Sequence, residues 1–157
     1  MIGEKPLFKL ALNNPDLFRT RARNWLYKKF KEDFGEVHAE ALRILNKNIE
    51  TLKEKADDFN FPELEINLKG KGVGVFGTAA SLDKNCDALV PLSYIFDFQE
   101  PGTVVVPIRE GNKKPREAVD DEHENIYNAQ GFPSRGLEYA TTNLYKYKES
   151  DCPKKPL

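Results

Sequence analysis

Hydrophobic positions recur along this chain with two different periods, and the change falls near Phe59–Pro62. Upstream, Phe18, Ala22, Trp25, Leu26, Phe30 and Phe34 return mostly at steps of three and four, which gathers them on one helical face. Asn14-Pro15-Asp16 supplies a start for that helix. Asn14 is suited to the N-cap, Pro15 to the first helical position, and Asp16 to the positive end of the dipole. Gly35 is suited to a left-handed C-cap. A second stripe, Val37, Ala41, Leu45, Ile49, Leu52 and Ala56, predicts a helix from Glu36 to about Asp58. The short link makes the two helices antiparallel neighbours, a hairpin over about 15–58.

Downstream the apolar residues cluster in short runs separated by Gly, Pro and Asn. Leu64–Leu68 alternates as a half-buried strand does, Lys69-Gly70-Lys71-Gly72 reads as a turn, and Val73–Phe76 as the returning strand. Ala88–Leu92 and Tyr94–Phe98, broken by Pro91, predict an edge strand or a bulge. Thr103–Ile108 reads as the strongest strand, 109–136 as a long polar connection, and Leu137–Tyr147 as a last strand. The fold class expected is α+β, with the helical hairpin packed on a largely antiparallel sheet of about five strands. One domain is expected over 1–149, with a helical half (1–59) and a β half (60–149), followed by an unstructured tail over 150–157.

At 157 residues the chain can bury roughly two-thirds of its unfolded surface, enough for a core without staples. The formal charge is only −1, but its distribution is uneven. Residues 1–35 carry eight Lys/Arg against four Asp/Glu, whereas residues 36–100 carry seven against twelve. A basic end beside an acidic middle favours a contact surface. Cys86 and Cys152 lie far apart with no CxxC, which argues against zinc and for a reduced pair inside the cell. The amino-terminal stretch lacks the apolar run of a signal peptide, and no segment is long and apolar enough to span a membrane. A cytoplasmic or other intracellular location is expected.

Candidate chemistry is sparse. Gly72-Val-Gly74-Val-Phe-Gly77 matches a dinucleotide fingerprint by letters, but its glycines lie inside an apolar β run instead of opening a helix. The stretch Val75–Ser81 followed by Cys86–Val90 resembles the nucleotidyltransferase pattern: Gly77-Thr78 stands at a strand end and Asp87 opens the acid pair. The resemblance implies magnesium-dependent nucleotide handling around Gly77, Thr78, Asp87 and Asp97. Leu89 occupies the place of the second acid, which makes that reading a degenerate one. Pro107–Asn112 is similar by letters to the core of the Fic-type nucleotide transferases, with Val106 where their catalytic histidine stands. His38 and His123 have no nucleophile beside them, and Asp120–Glu124 lacks the spacing and glycine of a calcium loop.

No catalytic residue, metal ligand or cofactor is therefore assigned. The reading reached from sequence is a non-catalytic interaction or accessory subunit of a larger assembly, with a protein partner or a second copy of itself. Partner contacts are assigned to Arg19, Arg23, Trp25, Lys28, Tyr127, Phe132, Tyr139, Tyr145 and Tyr147, since aromatics and arginines anchor such surfaces. Two alternatives stand beside it. One is a nucleic-acid module using the basic helix 15–34, where cations would neutralise phosphates and aromatics stack on bases. The other is the nucleotidyltransferase-like domain.

Overall fold

The computed structural model describes residues 13, 14, 25, 28–30, 33–120, 122, 123 and 125–157. The helix expected over 15–34 lies largely outside the described residues, and so do Arg19 and Arg23. The described chain divides into two compact units, one formed by residues up to Ile44 with Gly111–Gly131, the other by Leu45–Glu110 with Phe132–Leu157.

In the first unit, helix α1 spans Phe34–Lys47 and continues past the unit's boundary. Asp33 starts it: the carboxylate accepts the Glu36 N–H at 3.2 Å, which satisfies one of the orphan amides of the first turn. Gly35 therefore sits inside a helical turn and caps nothing. Lys114 binds both Asp33 (3.3 Å) and Glu36 (2.5 Å). Strands β3 (Glu117–Asp120) and β4 (Asn125–Asn128) pair antiparallel, with Ala118 opposite Tyr127. A hairpin thus occupies part of the stretch expected to be a polar connection.

In the second unit, α2 (Ile49–Glu54) takes up the helical stripe after a break at Asn48, and a 3-10 turn, Ala56–Phe59, closes it. Strands β1 (Ile66–Leu68) and β2 (Lys71–Val73) form a hairpin, but the returning strand is Lys71–Val73 and not Val73–Phe76, because the turn takes two residues and not four. Its two-residue loop, Lys69-Gly70, has φ of 50° and 81°. A positive φ at both positions matches the twist of the flanking strands, and glycine meets it without steric cost.

The remaining strand expectations are corrected. Leu89–Leu92 is a short helix, α3. Pro91 stands in its first turn, where the missing N–H would have had no partner. Leu137–Glu149 is helix α4, because Ala140, Leu144 and Tyr147 recur at helical steps and bury one side. Thr103–Ile108 pairs with no strand among the described residues. Two separate two-stranded sheets replace the expected sheet of about five strands, so the fold is α+β at the coarser level only.

Leu52, Leu89 and Leu92 are almost fully buried, and Cys86, Leu89, Ala140 and Tyr147 form a core cluster. The carboxy-terminal residues carry no helix or strand, yet their backbone is held. The Tyr147 hydroxyl donates to the Pro153 carbonyl at 3.1 Å and accepts the Lys155 N–H at 2.8 Å, while the Gln99 N–H reaches the Pro156 carbonyl at 3.0 Å. No helix among the described residues is long and apolar enough to cross a membrane.

Candidate functional site

Two residues of positive φ stand close together in the second unit. Ser81 and Cys86 have φ of 88° and 61°, a conformation that costs a side-chain-bearing residue about 1–3 kcal/mol and gathers at sites where geometry matters. Between them lies Asp83, 2% exposed, whose two carboxylate oxygens accept the N–H groups of Asp87 (2.7 Å) and Ala88 (2.8 Å). Its carbonyl accepts the Gly102 N–H, and the Ser81 N–H reaches the Gly102 carbonyl at 2.7 Å. Asp83 thereby bends the loop over residues 81–88 into one shape and delivers it into α3.

That loop carries a polar network toward α4. Asp87 accepts the Tyr139 hydroxyl at 2.7 Å and the Asn143 amide at 3.3 Å, and the Arg135 guanidinium lies 3.9 Å away. Arg135 also stacks over the Tyr139 ring, 3.5 Å from its centroid, and its backbone N–H binds the Asn85 side chain. Burial, reinforced by the Asp87 carboxylate, raises the Tyr139 pKa, so this phenol stays a proton donor. Burial also pushes the Cys86 thiol up to about 11, with Asp83 and Asp87 adding to it. A thiol held protonated makes a poor nucleophile.

Next to the network, Arg109 and Ser134 form an antiparallel bridge through two 2.8 Å hydrogen bonds. The buried Ser134 hydroxyl accepts the N–H groups of Gly136, which caps α4, and of Val105. Arg109 leans on Phe132, 6.0 Å from the ring centroid, and pairs with no carboxylate among the described residues. The Arg109 guanidinium thus lies over Phe132, whereas the Arg135 guanidinium faces Asp87 and Tyr139, and Glu138 stands in the first turn of α4. Among the described residues no His, Cys, Asp and Glu group is arranged to hold a metal ion.

The residues singled out from sequence scatter. Trp25, 55% exposed, carries the Lys29 ammonium 4.9 Å from its ring, and Lys28 is exposed. Tyr127 lies exposed on β4, Phe132 on the loop before Ser134, and Tyr145 on the outer side of α4. Only Tyr139 joins the network. Tyr147 is a core residue, 3% exposed, which takes it out of reach as a surface anchor. Thr78 of the nucleotidyltransferase resemblance is buried and binds the Glu100 N–H, and Asp97 is tied to the Phe76 N–H at 3.1 Å. With Asp87 committed to Tyr139, these groups do not converge as a metal-binding acid pair. Asp83, Ser134 and Asn143 carry no mark of local spacing, since their partners are backbone amides or distant in sequence; Arg135 and Tyr139 stand four apart, a spacing that a strand reading of 137–147 hides.

No family model matches the chain. Among curated proteins it is 45% identical over 69 residues to the dihydroorotate dehydrogenase (quinone) of Marinobacter nauticus, which is 43% of this chain and 20% of that protein. It is 32% identical over 126 residues to the enzyme of the same name from Wigglesworthia glossinidia brevipalpis, 78% of this chain and 36% of that one. The crystal structure of DHODH from Eimeria tenella in complex with ferulenol superposes with a TM-score of 0.51 at 31% identity, over 61% of this chain and 28% of that one. The chain thus spans between 20% and 36% of the length of these curated relatives. The relatives are catalysts. They overturn the reading of a non-catalytic accessory subunit, together with its nucleic-acid and nucleotidyltransferase alternatives.

Proposed function

We propose that this chain forms part of an enzyme that oxidises dihydroorotate and passes the electrons to a quinone. The observation that carries this reading is the 45% identity over 69 residues to a protein of that name, with a further relative matching across 78% of the chain. The chemistry is a two-electron dehydrogenation. Two hydrogens leave adjacent atoms of the dihydro ring, a C=C bond forms, and the quinone gains two electrons and two protons to become a quinol. The intracellular location read from Cys86 and Cys152 belongs to the same proposal; both cysteines are free in the fold.

The test is a chimera. The matching segment of the Marinobacter nauticus enzyme is replaced by that of this chain, and reduction of a soluble ubiquinone analogue is followed with and without dihydroorotate. Dihydroorotate-dependent quinone reduction supports the proposal. A folded chimera that leaves the quinone oxidised overturns it.

A further inference from the structure

Asp87 is held from two sides. Its carbonyl accepts the Asn46 side-chain amide at 2.9 Å, from the part of α1 that belongs to the second unit. Its carboxylate meets α4, where the Tyr139 hydroxyl (2.7 Å) and the Asn143 amide (3.3 Å) both reach one oxygen, Oδ1. The Asn143 amide also donates to the Asn85 carbonyl at 3.2 Å. With its N–H bound by Asp83, every polar group of Asp87 but one carboxylate oxygen is tied to a different part of the fold.

The loop over residues 81–88 stands where a ligand meets folds of this kind. Gly77 bridges Phe98 in parallel, and the chain between them contains α3. The loop follows the carboxyl end of the first of these segments, and residues 100–103 follow that of the second. The Ser81 N–H and the Gly102 carbonyl tie the two together at 2.7 Å. Ligands of α/β folds sit beyond the carboxyl ends of parallel strands, and Ser81, Leu82 and Thr103 are exposed there. We infer that Asp87 is a positioning residue: it clamps the loop between α1 and α4, and through the loop it sets how tightly a ligand at these carboxyl ends is held. The inference rests on the proposed function for the ligand, dihydroorotate, and not for the clamp.

Both α4 donors use one oxygen, so an amide oxygen in that place serves where a methyl group cannot. The first measurement is labelling of Cys86 in the full chain with an aromatic disulfide reagent, read by mass spectrometry. Cys86 is the residue before Asp87 and is 9% exposed, so its labelling reports opening of the loop. Asp87→Ala is expected to speed it about tenfold, the scale of one lost hydrogen bond, and Asp87→Asn to bring it back within about threefold of the parent. Asn46→Ala and Tyr139→Phe each speed it, and together they fall short of the product of the two, because either opens the same clamp. In the chimera described above, Asp87→Ala raises the KM for dihydroorotate about tenfold with kcat within about twofold, and Asp87→Asn recovers the KM. Equal labelling across the series, Asp87→Asn as fast as Asp87→Ala, or faster labelling with KM unmoved overturns the inference. So does kcat lost in both Asp87 variants, since the charge would then act on the reacting atoms. A parent chimera that leaves the quinone oxidised removes the proposed function, while the labelling series still decides whether Asp87 clamps the loop.

Discussion

Replacing Asp83 with alanine removes the carboxylate that shapes the loop into α3, and the cost can be worked from its contacts. The side chain is 2% exposed and accepts two backbone N–H groups at 2.7 and 2.8 Å. A hydrogen bond to an ionised acceptor contributes about 1.5–3 kcal/mol, and a buried N–H left without one costs a similar amount. The Ala88 amide is buried and bears the full loss, whereas Asp87 is half-buried and its amide gains water in the variant. The expected destabilisation of the second unit is therefore about 3 kcal/mol, roughly a hundredfold in its folding equilibrium. Asparagine is no rescue: it keeps one acceptor and turns an N–H₂ toward the second amide, so Asp83→Asn should lose at least half as much. Urea unfolding followed by far-ultraviolet circular dichroism measures the difference, and amide exchange at Asp87 and Ala88 locates it. A loss below about 1 kcal/mol with both amides still protected would refute the reasoning, because the loop would then hold its strained shape without the carboxylate.

The thiols should react in a fixed order at pH 8, Cys152 before Cys86. Cys86 is 9% exposed and its thiol is pushed up to about 11, so equal labelling rates with an aromatic disulfide reagent would contradict the burial described. Tyr147→Phe keeps the buried ring but removes the hydroxyl that holds Pro153 and Lys155; about 1–2 kcal/mol of tail docking should go, read as faster trypsin cleavage after Lys154. Glu40, bound by Arg43 and then by Lys29, has its carboxyl held down to about 2 from an ordinary 4.5. A depressed carboxylate contributes stability that is present above 4.5 and lost as the pH falls toward 2. Because the Arg43 side chain is 40% exposed, solvent limits the effect to about 1 kcal/mol, and Glu40→Gln should flatten the acid limb of the stability curve by that amount.

What was legible in the sequence followed local period, and what was not followed distant contacts. The Val37–Ala56 stripe and the turn after Leu68 are stated by neighbouring residues, so both appear in the fold, the helix broken at Asn48 and the turn narrowed from Lys69–Gly72 to Lys69-Gly70. Helix α4 was misread because its conspicuous residues, Tyr139, Tyr145 and Tyr147, all fall on odd positions and carry high strand propensity, which imitates a period of two. The buried positions, Ala140, Leu144 and Tyr147, step by four and three, and burial decides the element. Thr103–Ile108 failed in the opposite way: its composition is that of a strand, but strand pairing needs a partner that the described residues do not supply. The misreading of α4 also hid the site. Tyr139 and Asn143 meet at Asp87 only because residues four apart share a helical face, and as a strand they could not have converged on one carboxylate. Once α4 is helical, the Asp83 turn that presents Asp87 and the α4 face that receives it form one arrangement, and Arg135 joins it from just before the helix.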